Sequence, residues 1–278
     1  PMYYTRLRAA CPQEFSEILI AETAEAGFDT FMETPEGFEA FAEEDRYDAA
    51  MLEDIRRQYA EVCNPVFALD RVEKENWNEQ WEKSFEPVIV GDQCIVRAEF
   101  HRTERAYPYE IIITPKMSFG TGHHATTWLM LNAQLGIDHS GKNVMDAGCG
   151  TAILAIMACK RGAKMVDAFD IDEWSAVNGK ENLDNNGCGN VLLRQGTIRT
   201  LSFDEPFDLI LANINRNVLL SDMDAFATNL RTGGQLLLSG FYPSDAVDLV
   251  AAAAAQGFEL QRQEEREGWC SLLLRRVG

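Results

Sequence analysis

The apolar residues of this chain fall into two regimes. Over the first seventy residues, short period-two runs alternate with helical stretches. Tyr3 to Ala9 alternates as a strand does, and Pro12 opens a helical pattern carried by Phe15, Ile18 and Leu19 to about Ala26, where Gly27 stops it. Thr30 to Glu33 and Gly37 to Ala42 read as two strands turning at Pro35–Gly37, and Tyr47 to Val62 is helical again. This predicts a small α+β domain over 2–66. Residues 67–86 are polar and charged, with Trp77 and Trp81 four apart, so both indoles share one face of a predicted linker helix. Packing onto a neighbouring domain and contact with a substrate are the two readings of that face.

A second domain is predicted over 87–278. After Pro87 the apolar positions alternate through Phe100, as in a hairpin. From about Asn143 the order becomes strand–helix–strand–helix, the pattern of an open, largely parallel sheet. Val144 and Met145 end a buried strand, Asp146 to Gly150 makes a turn, and Ala152 to Lys160 is helix. The next strand ends in Asp170. Phe207 to Ala212 leads into Asn213 with a helix from about Asn217, and Gln235 to Gly240 precedes a helix to about Gln256. The last two strands, Phe258 to Glu265 and Trp269 to Arg276, are joined so tightly at Glu267-Gly268 that they must be antiparallel.

Charge and composition narrow the partners. The net charge is −19, and the first seventy residues hold sixteen acids against five bases, so the acidity concentrates in the N-terminal module. That surface is either a solvated face or a dock for a basic partner, and direct nucleic-acid binding is not expected of it. No apolar run approaches the length of a membrane span, and no basic segment followed by an apolar stretch opens the chain. Seven scattered cysteines without a C-x-x-C pair, and four histidines, give no metal-ligand spacing. Reduced thiols and a cytoplasmic location are expected. Nothing in the pattern demands assembly, so a monomer is expected.

The candidate chemistry centres on the turn after Met145. Gly148 and Gly150 let the backbone pass close to a ligand. Asp170, 22 residues beyond Gly148, stands where a carboxylate accepts from ribose hydroxyls in nucleoside-binding folds. A nicotinamide dinucleotide fits poorly, because Ile153 occupies the third-glycine position and Asp146 opposes a pyrophosphate. The same aspartate suits the ammonium of an amino-acid moiety. An adenosyl ligand with an amino-acid tail and no phosphate is S-adenosylmethionine.

A parallel sheet closed by a C-terminal antiparallel hairpin resembles the class I methyltransferase fold. MSFGTGHHATTWLML (Met117 to Leu131), DAGCGTAILAI (Asp146 to Ile156), FDID (Phe169 to Asp172) and LILANI (Leu209 to Ile214) occur in that order. With the Trp-bearing linker and the acidic N-terminal module, they resemble the family of bacterial ribosomal protein L11 methyltransferases over essentially the whole chain. The resemblance implies an α/β, Rossmann-like seven-stranded sheet, S-adenosylmethionine as methyl donor, and ribosomal protein L11 as substrate through lysine or N-terminal amines. It implies that Thr127, Gly148, Asp170 and Asn213 contact the cofactor, Asn213 beside the transferable methyl. It also implies that Phe119, Gly120, Thr121 and Gly122 form a loop over it. His124 matches the family histidine, read as either a catalytic base or a structural hydrogen-bond partner.

This sequence departs from the family pattern at several positions. Thr151 and Ala152 replace a serine and a glycine, a change that a negative φ at Ala152 would accommodate. His123 and Ala125 replace threonine and proline. Asn215-Arg216-Asn217 replaces a more apolar stretch and bears on acceptor fit. The alternatives are a methyltransferase for another protein lysine or small amine, and a cofactor-binding interaction factor without catalysis.

Overall fold

The computed structural model describes residues 3–43, 46–73, 86–103, 105–114 and 124–278. The chain divides into two units, Pro1–Phe85 and Glu86–Gly278.

The first unit runs β1 (Tyr3–Ala10), α1 (Ser16–Glu25), β2 (Thr30–Thr34), β3 (Gly37–Glu43), α2 (Ala49–Gln58) and β4 (Val66–Glu73). Its sheet order is β2-β3-β1-β4, with β1 antiparallel to both neighbours, a βαββαβ arrangement. Alternation along β1 sends Leu7 and Ala9 into a core with Phe38, Leu19, Leu52 and Ile55. Asp48 starts α2 by accepting from the amides of Ala50 and Met51 at 2.9 and 3.0 Å.

The expected linker helix from residue 67 gives way here to β4. Phe67 pairs opposite Ala9 on the core face, and Asp70 opposite Arg6, whose Nε donates to it at 2.9 Å. Asp70 faces outward and is satisfied across the ladder, while Arg71, on the face of Phe67, lies over the Tyr3 ring, so charges that resemble a solvated helix belong to an antiparallel strand. Trp77 and Trp81 lie outside the described residues.

The second unit opens with a small sheet, β5 (Val88–Val90), β6 (Cys94–Arg97) and β7 (Tyr109–Ile112), in which β5 and β6 form the expected antiparallel pair. Then follow α3 (Ala125–Leu135), β8 (Asn143–Ala147), α4 (Ile153–Lys160), β9 (Met165–Asp170), α5 (Glu173–Asn185) and β10 (Val191–Gln195). The chain ends with β11 (Phe207–Asn213), α6 (Arg216–Asn229), β12 (Leu230–Phe241), α7 (Ala246–Ala255), β13 (Phe258–Arg266) and β14 (Trp269–Arg276).

Among the described residues the large sheet has seven strands in the order β10-β9-β8-β11-β12-β14-β13. The first five are parallel, and β14 is antiparallel to both neighbours. Both faces are covered. Leu209 and Leu211 of β11 enter one core with α3, α4 and α5, while Ile210 and Ala212 enter the other with α6 and α7. Burial on both faces is why β11 reads as a continuous apolar run. The sheet grows from β8 through β9 to β10, then returns to place β11 on the other side of β8. Such a switch point opens a crevice at the carboxyl ends of the strands. Among the described residues no helix is long and apolar enough to cross a membrane.

Candidate active site

The crevice is a cleft of about 610 Å³ at the carboxyl ends of β8, β9, β10 and β11, within the size range of small-molecule sites. Gly148, Gly150, Asp170 and Asn213 all line it. Gly148 has φ +72° and Gly150 φ +51°, backbone states open to glycine. The amides of Gly148 and Cys149 donate to the Phe169 carbonyl at 2.9 and 3.0 Å, which ties the turn to the end of β9. A Cβ on Gly148 would stand 2.3 Å from Ile214 Cγ2, so glycine is what lets Ile214 close against the turn. The Asp170 carboxylate is fixed from below by the amides of Gly150 (2.9 Å) and Asp172 (3.0 Å). Its remaining lone pairs are available to a pair of ligand hydroxyls.

Asp146 has a partner that the sequence pattern did not predict. It is fully buried at the end of β8, and it does not line the cleft. One oxygen accepts from the Ala155 amide at 3.0 Å in the first turn of α4. Ala152, the residue opening that helix, has no side-chain cap to offer, so the strand supplies it. The other oxygen, Oδ1, is buried without a partner among the described residues. Burial pushes the Asp146 carboxyl up to about 7, against the Ala155 hydrogen bond and with the charge of Asp170 adding to it.

The condition for a painless Ala152 is not met, because its φ is +62°. A left-handed alanine costs about 1–2 kcal/mol relative to glycine. Its methyl is fully buried, and a buried methyl returns about 0.8 kcal/mol. The two nearly cancel, so Ala152→Gly is expected to stabilise the protein by no more than about 1 kcal/mol, read from urea melts. A marked loss of stability would contradict that accounting.

Helix α5 braces the turn through residues that sequence reasoning passed over. A Cβ on Gly179 would lie 3.1 Å from Leu193 Cδ2, 3.4 Å from the Gly150 carbonyl and 3.5 Å from the Ala152 methyl. Asn182 donates to the Thr151 carbonyl at 3.0 Å and accepts from the Thr114 amide at 2.8 Å. Asn186 accepts from the Ile112 amide at 2.9 Å. Gly179 and Asn182 form a small and polar stripe on the face that meets the turn, and Asn186, just past the helix, extends it toward β7. That stripe is the signal that would have found them.

Helix α3 brings the remaining predicted residues. His124 is its N-cap: Nδ1 accepts from the Thr126 amide at 3.3 Å and lies 2.8 Å from Thr126 Oγ1. Burial lowers its pKa, and Glu267 opposes the shift. Thr127 is fully buried in the first turn, and its Oγ1 has no partner among the described residues. Neither residue lines the cleft. Phe119, Gly120, Thr121 and Gly122 lie outside the described residues. His139 is buried and pushed down to about 4, consistent with a neutral structural side chain.

The departures around Asn215 have local reasons. Asn215 caps α6, accepting from the Val218 amide at 3.1 Å, and Arg216 pairs with Asp245 at 3.3 Å and with Asp248.

The cleft fits an adenosyl ligand with an amino-acid tail. Asp170 suits ribose hydroxyls, and Ile171 beside it is 73% exposed, an apolar face suited to a purine. Two buried oxygens outside the cleft lining, Thr127 Oγ1 and Asp146 Oδ1, are left without partners among the described residues, as is Asn213 Oδ1 in the lining. Unpaired buried oxygens are costly, and an ammonium offers three donors.

Comparison with known proteins agrees. The profile of the family described as Ribosomal protein L11 methyltransferase (PrmA) matches residues 17–277. A protein of that name from Bacteroides fragilis is 36% identical over 264 residues, covering 94% of each chain. One from Porphyromonas gingivalis is 42% identical over 266 residues, covering 92% of this chain and 89% of its own. The crystal structure of a ribosomal protein L11 methylase from Lactobacillus delbrueckii subsp. bulgaricus superposes with a TM-score of 0.65 at 28% identity, over 70% of this chain and all of that one. A methyltransferase from Pyrococcus furiosus shares the fold with a TM-score of 0.52 at 18% identity, over 60% of this chain and 89% of its own. Fold, cleft and relatives converge, and this chain belongs to the ribosomal protein L11 methyltransferase family.

Proposed function

We propose that the protein transfers methyl groups from S-adenosylmethionine to amines of ribosomal protein L11, on lysine side chains, the N-terminus or both. The observation that carries this reading is a cleft at the switch point that holds Gly148, Asp170 and Asn213 together, in a chain whose relatives bear that name. When bound, S-adenosylmethionine supplies an electrophilic methyl on a sulfonium. Gly148 and Gly150 would admit it, Asp170 would hold its ribose, and the unpartnered buried oxygens of Thr127 and Asp146 would accept from its ammonium.

Positioning does most of the remaining work in an in-line displacement. A lysine acceptor must first lose a proton, which from a pKa of about 10.4 costs roughly 4.6 kcal/mol at pH 7. A site of low polarity reduces that cost by disfavouring the ammonium. Asn213 Oδ1, buried and unpartnered among the described residues, accepts an N–H of the amine and aligns its lone pair. An amide is too weak a base to take the proton, so the proton leaves to water. His124 acts as a helix cap, because Nδ1 is engaged by the α3 amide and the neutral ring then carries its proton on Nε2. Asn213→Ala is expected to lower kcat with saturating substrates by about 10- to 100-fold, the scale of a misplaced reacting atom. Full turnover by this variant would remove Asn213 from the mechanism.

The N-terminal unit is proposed to recognise the basic substrate protein. Glu14, Glu17, Glu25, Asp29, Glu36 and Asp54 are exposed on it, a field suited to a cationic partner. Unchanged kcat/KM for a fragment beginning at Glu86 would contradict this role.

A further inference from the structure

The sheet carries a second group of side chains past the carboxyl end of β12, on the far side of β11 from β8 and β9. Ile214, immediately after Asn213, stands between two glycines. Gly148 closes on its side chain, and Gly240 closes on its backbone, where a Cβ would lie 2.2 Å from the Ile214 carbonyl oxygen. Gly240 has φ +100°, and the register of β12 against β14 shifts at this point. The chain then turns out at Tyr242. In register, Asn213 pairs with Ser239 and Ser239 with Ser271, so Trp269 and Tyr242 stand just beyond the row that holds Asn213. Two strand spacings, roughly 10 Å, separate Asn213 from β14.

Tyr242 is 54% exposed, yet it is held in place. Its ring stacks on Trp269 with centroids 4.6 Å apart and planes at 29°, and Trp269 receives the edge of His124 at 4.7 Å. Its amide donates to Asp245 Oδ2 at 3.1 Å, and Asp245 is paired with Arg216 at the start of α6. One polar chain therefore ties the Tyr242 turn to the segment that follows Asn213. Glu267, in the β13–β14 turn two residues before Trp269, is already paired with Arg266 at 3.1 Å, so the stack itself is what this end of the sheet offers. An exposed aromatic stack is the chemistry that holds an alkylammonium, through ring quadrupole and stem packing.

We propose that the Tyr242–Trp269 stack is the contact surface for the incoming lysine side chain, on the side of Asn213–Ile214 away from the cofactor cleft, with Tyr242 as the specificity-determining residue. This rests on the reading that the acceptor is a protein amine. Tyr242 does not line the cofactor cleft. Its loss therefore acts on the acceptor and leaves the cofactor alone.

The test is steady-state methylation of ribosomal protein L11 by the full-length parent, Tyr242→Phe, Tyr242→Leu and Tyr242→Ala, with S-adenosylmethionine affinity measured by calorimetry. Tyr242→Phe keeps the ring and is expected to match the parent. Tyr242→Leu and Tyr242→Ala are expected to raise the KM for the acceptor roughly 3- to 30-fold, with kcat and cofactor affinity near parent values. Leucine keeps apolar bulk, so a defect shared by both variants identifies the ring face. Unchanged acceptor KM in Tyr242→Leu, or a matching loss of cofactor affinity, overturns the proposal while leaving the methyltransferase reading intact. A parent that turns over no ribosomal protein L11 removes that reading and this inference with it.

Discussion

Gly148→Ala is expected to lose S-adenosylmethionine affinity on the order of 100-fold and to melt at a lower temperature. Two costs meet at this residue. A left-handed alanine costs about 1–2 kcal/mol, and at φ +72° Gly148 is in that region. Its methyl would also meet Ile214 Cγ2 at 2.3 Å, and overpacking of this kind costs typically about 1–3 kcal/mol. Relief requires the turn or Ile214 to move, and both line the cleft. The total of about 2–5 kcal/mol is therefore divided between stability and binding. Calorimetric titration and thermal melts read the two shares. Parent-like affinity together with parent-like stability would show that the turn is not packed as described.

Asp146→Asn is expected to change how stability depends on pH. In the folded, cofactor-free protein burial holds the Asp146 carboxyl at about 7, whereas an unfolded aspartate titrates near 3.9. A carboxyl raised on folding contributes its full stability below about pH 4, and that contribution is lost as pH rises through about 7. Three units correspond to about 4 kcal/mol as an upper bound. His139, pushed down to about 4, acts with the opposite sign, its stability being lost as pH falls. It is common to parent and variant, so the difference between them isolates Asp146. Asparagine retains an oxygen for the Ala155 amide. Urea melts are expected to give parent and Asp146→Asn similar stabilities near pH 4.5, with the variant ahead at pH 8 in the absence of cofactor. Parallel pH profiles would contradict the buried, unpaired carboxyl. With S-adenosylmethionine present the gap should narrow, because the ammonium stabilises the charged form.

The parts of this molecule that were legible in the sequence are those set by one physical pattern at a time. The period of β11, apolar on both faces, and the short turn at Glu267-Gly268 predicted a parallel sheet closed by a hairpin, and the structure has both. Gly148 and Asp170 were legible because a close backbone approach and a strand-end carboxylate leave residue-type signatures. Strand β4 was hidden because Asp70, satisfied by Arg6 across the ladder, and the charges that follow it resemble a solvated helix. Asp146 reads as ligand-facing because a charge stands just before a glycine turn. Its capping of α4 was hidden, because that depends on a hydrogen bond nine residues along the chain. The φ of Ala152 has no signature of its own, since only comparison with a glycine hints at it. The braces from α5, Gly179 and Asn182, required knowing which helix packs on the turn.

The most direct test of the account is intact-mass analysis of purified ribosomal protein L11 after incubation with this protein and S-adenosylmethionine. The account predicts mass increments in whole methyl units that depend on the cofactor, are mapped by peptide analysis to amines, and diminish with Asn213→Ala. No mass shift, with cofactor binding confirmed in parallel by calorimetry, would leave the fold and the cleft standing and contradict the assignment of the acceptor.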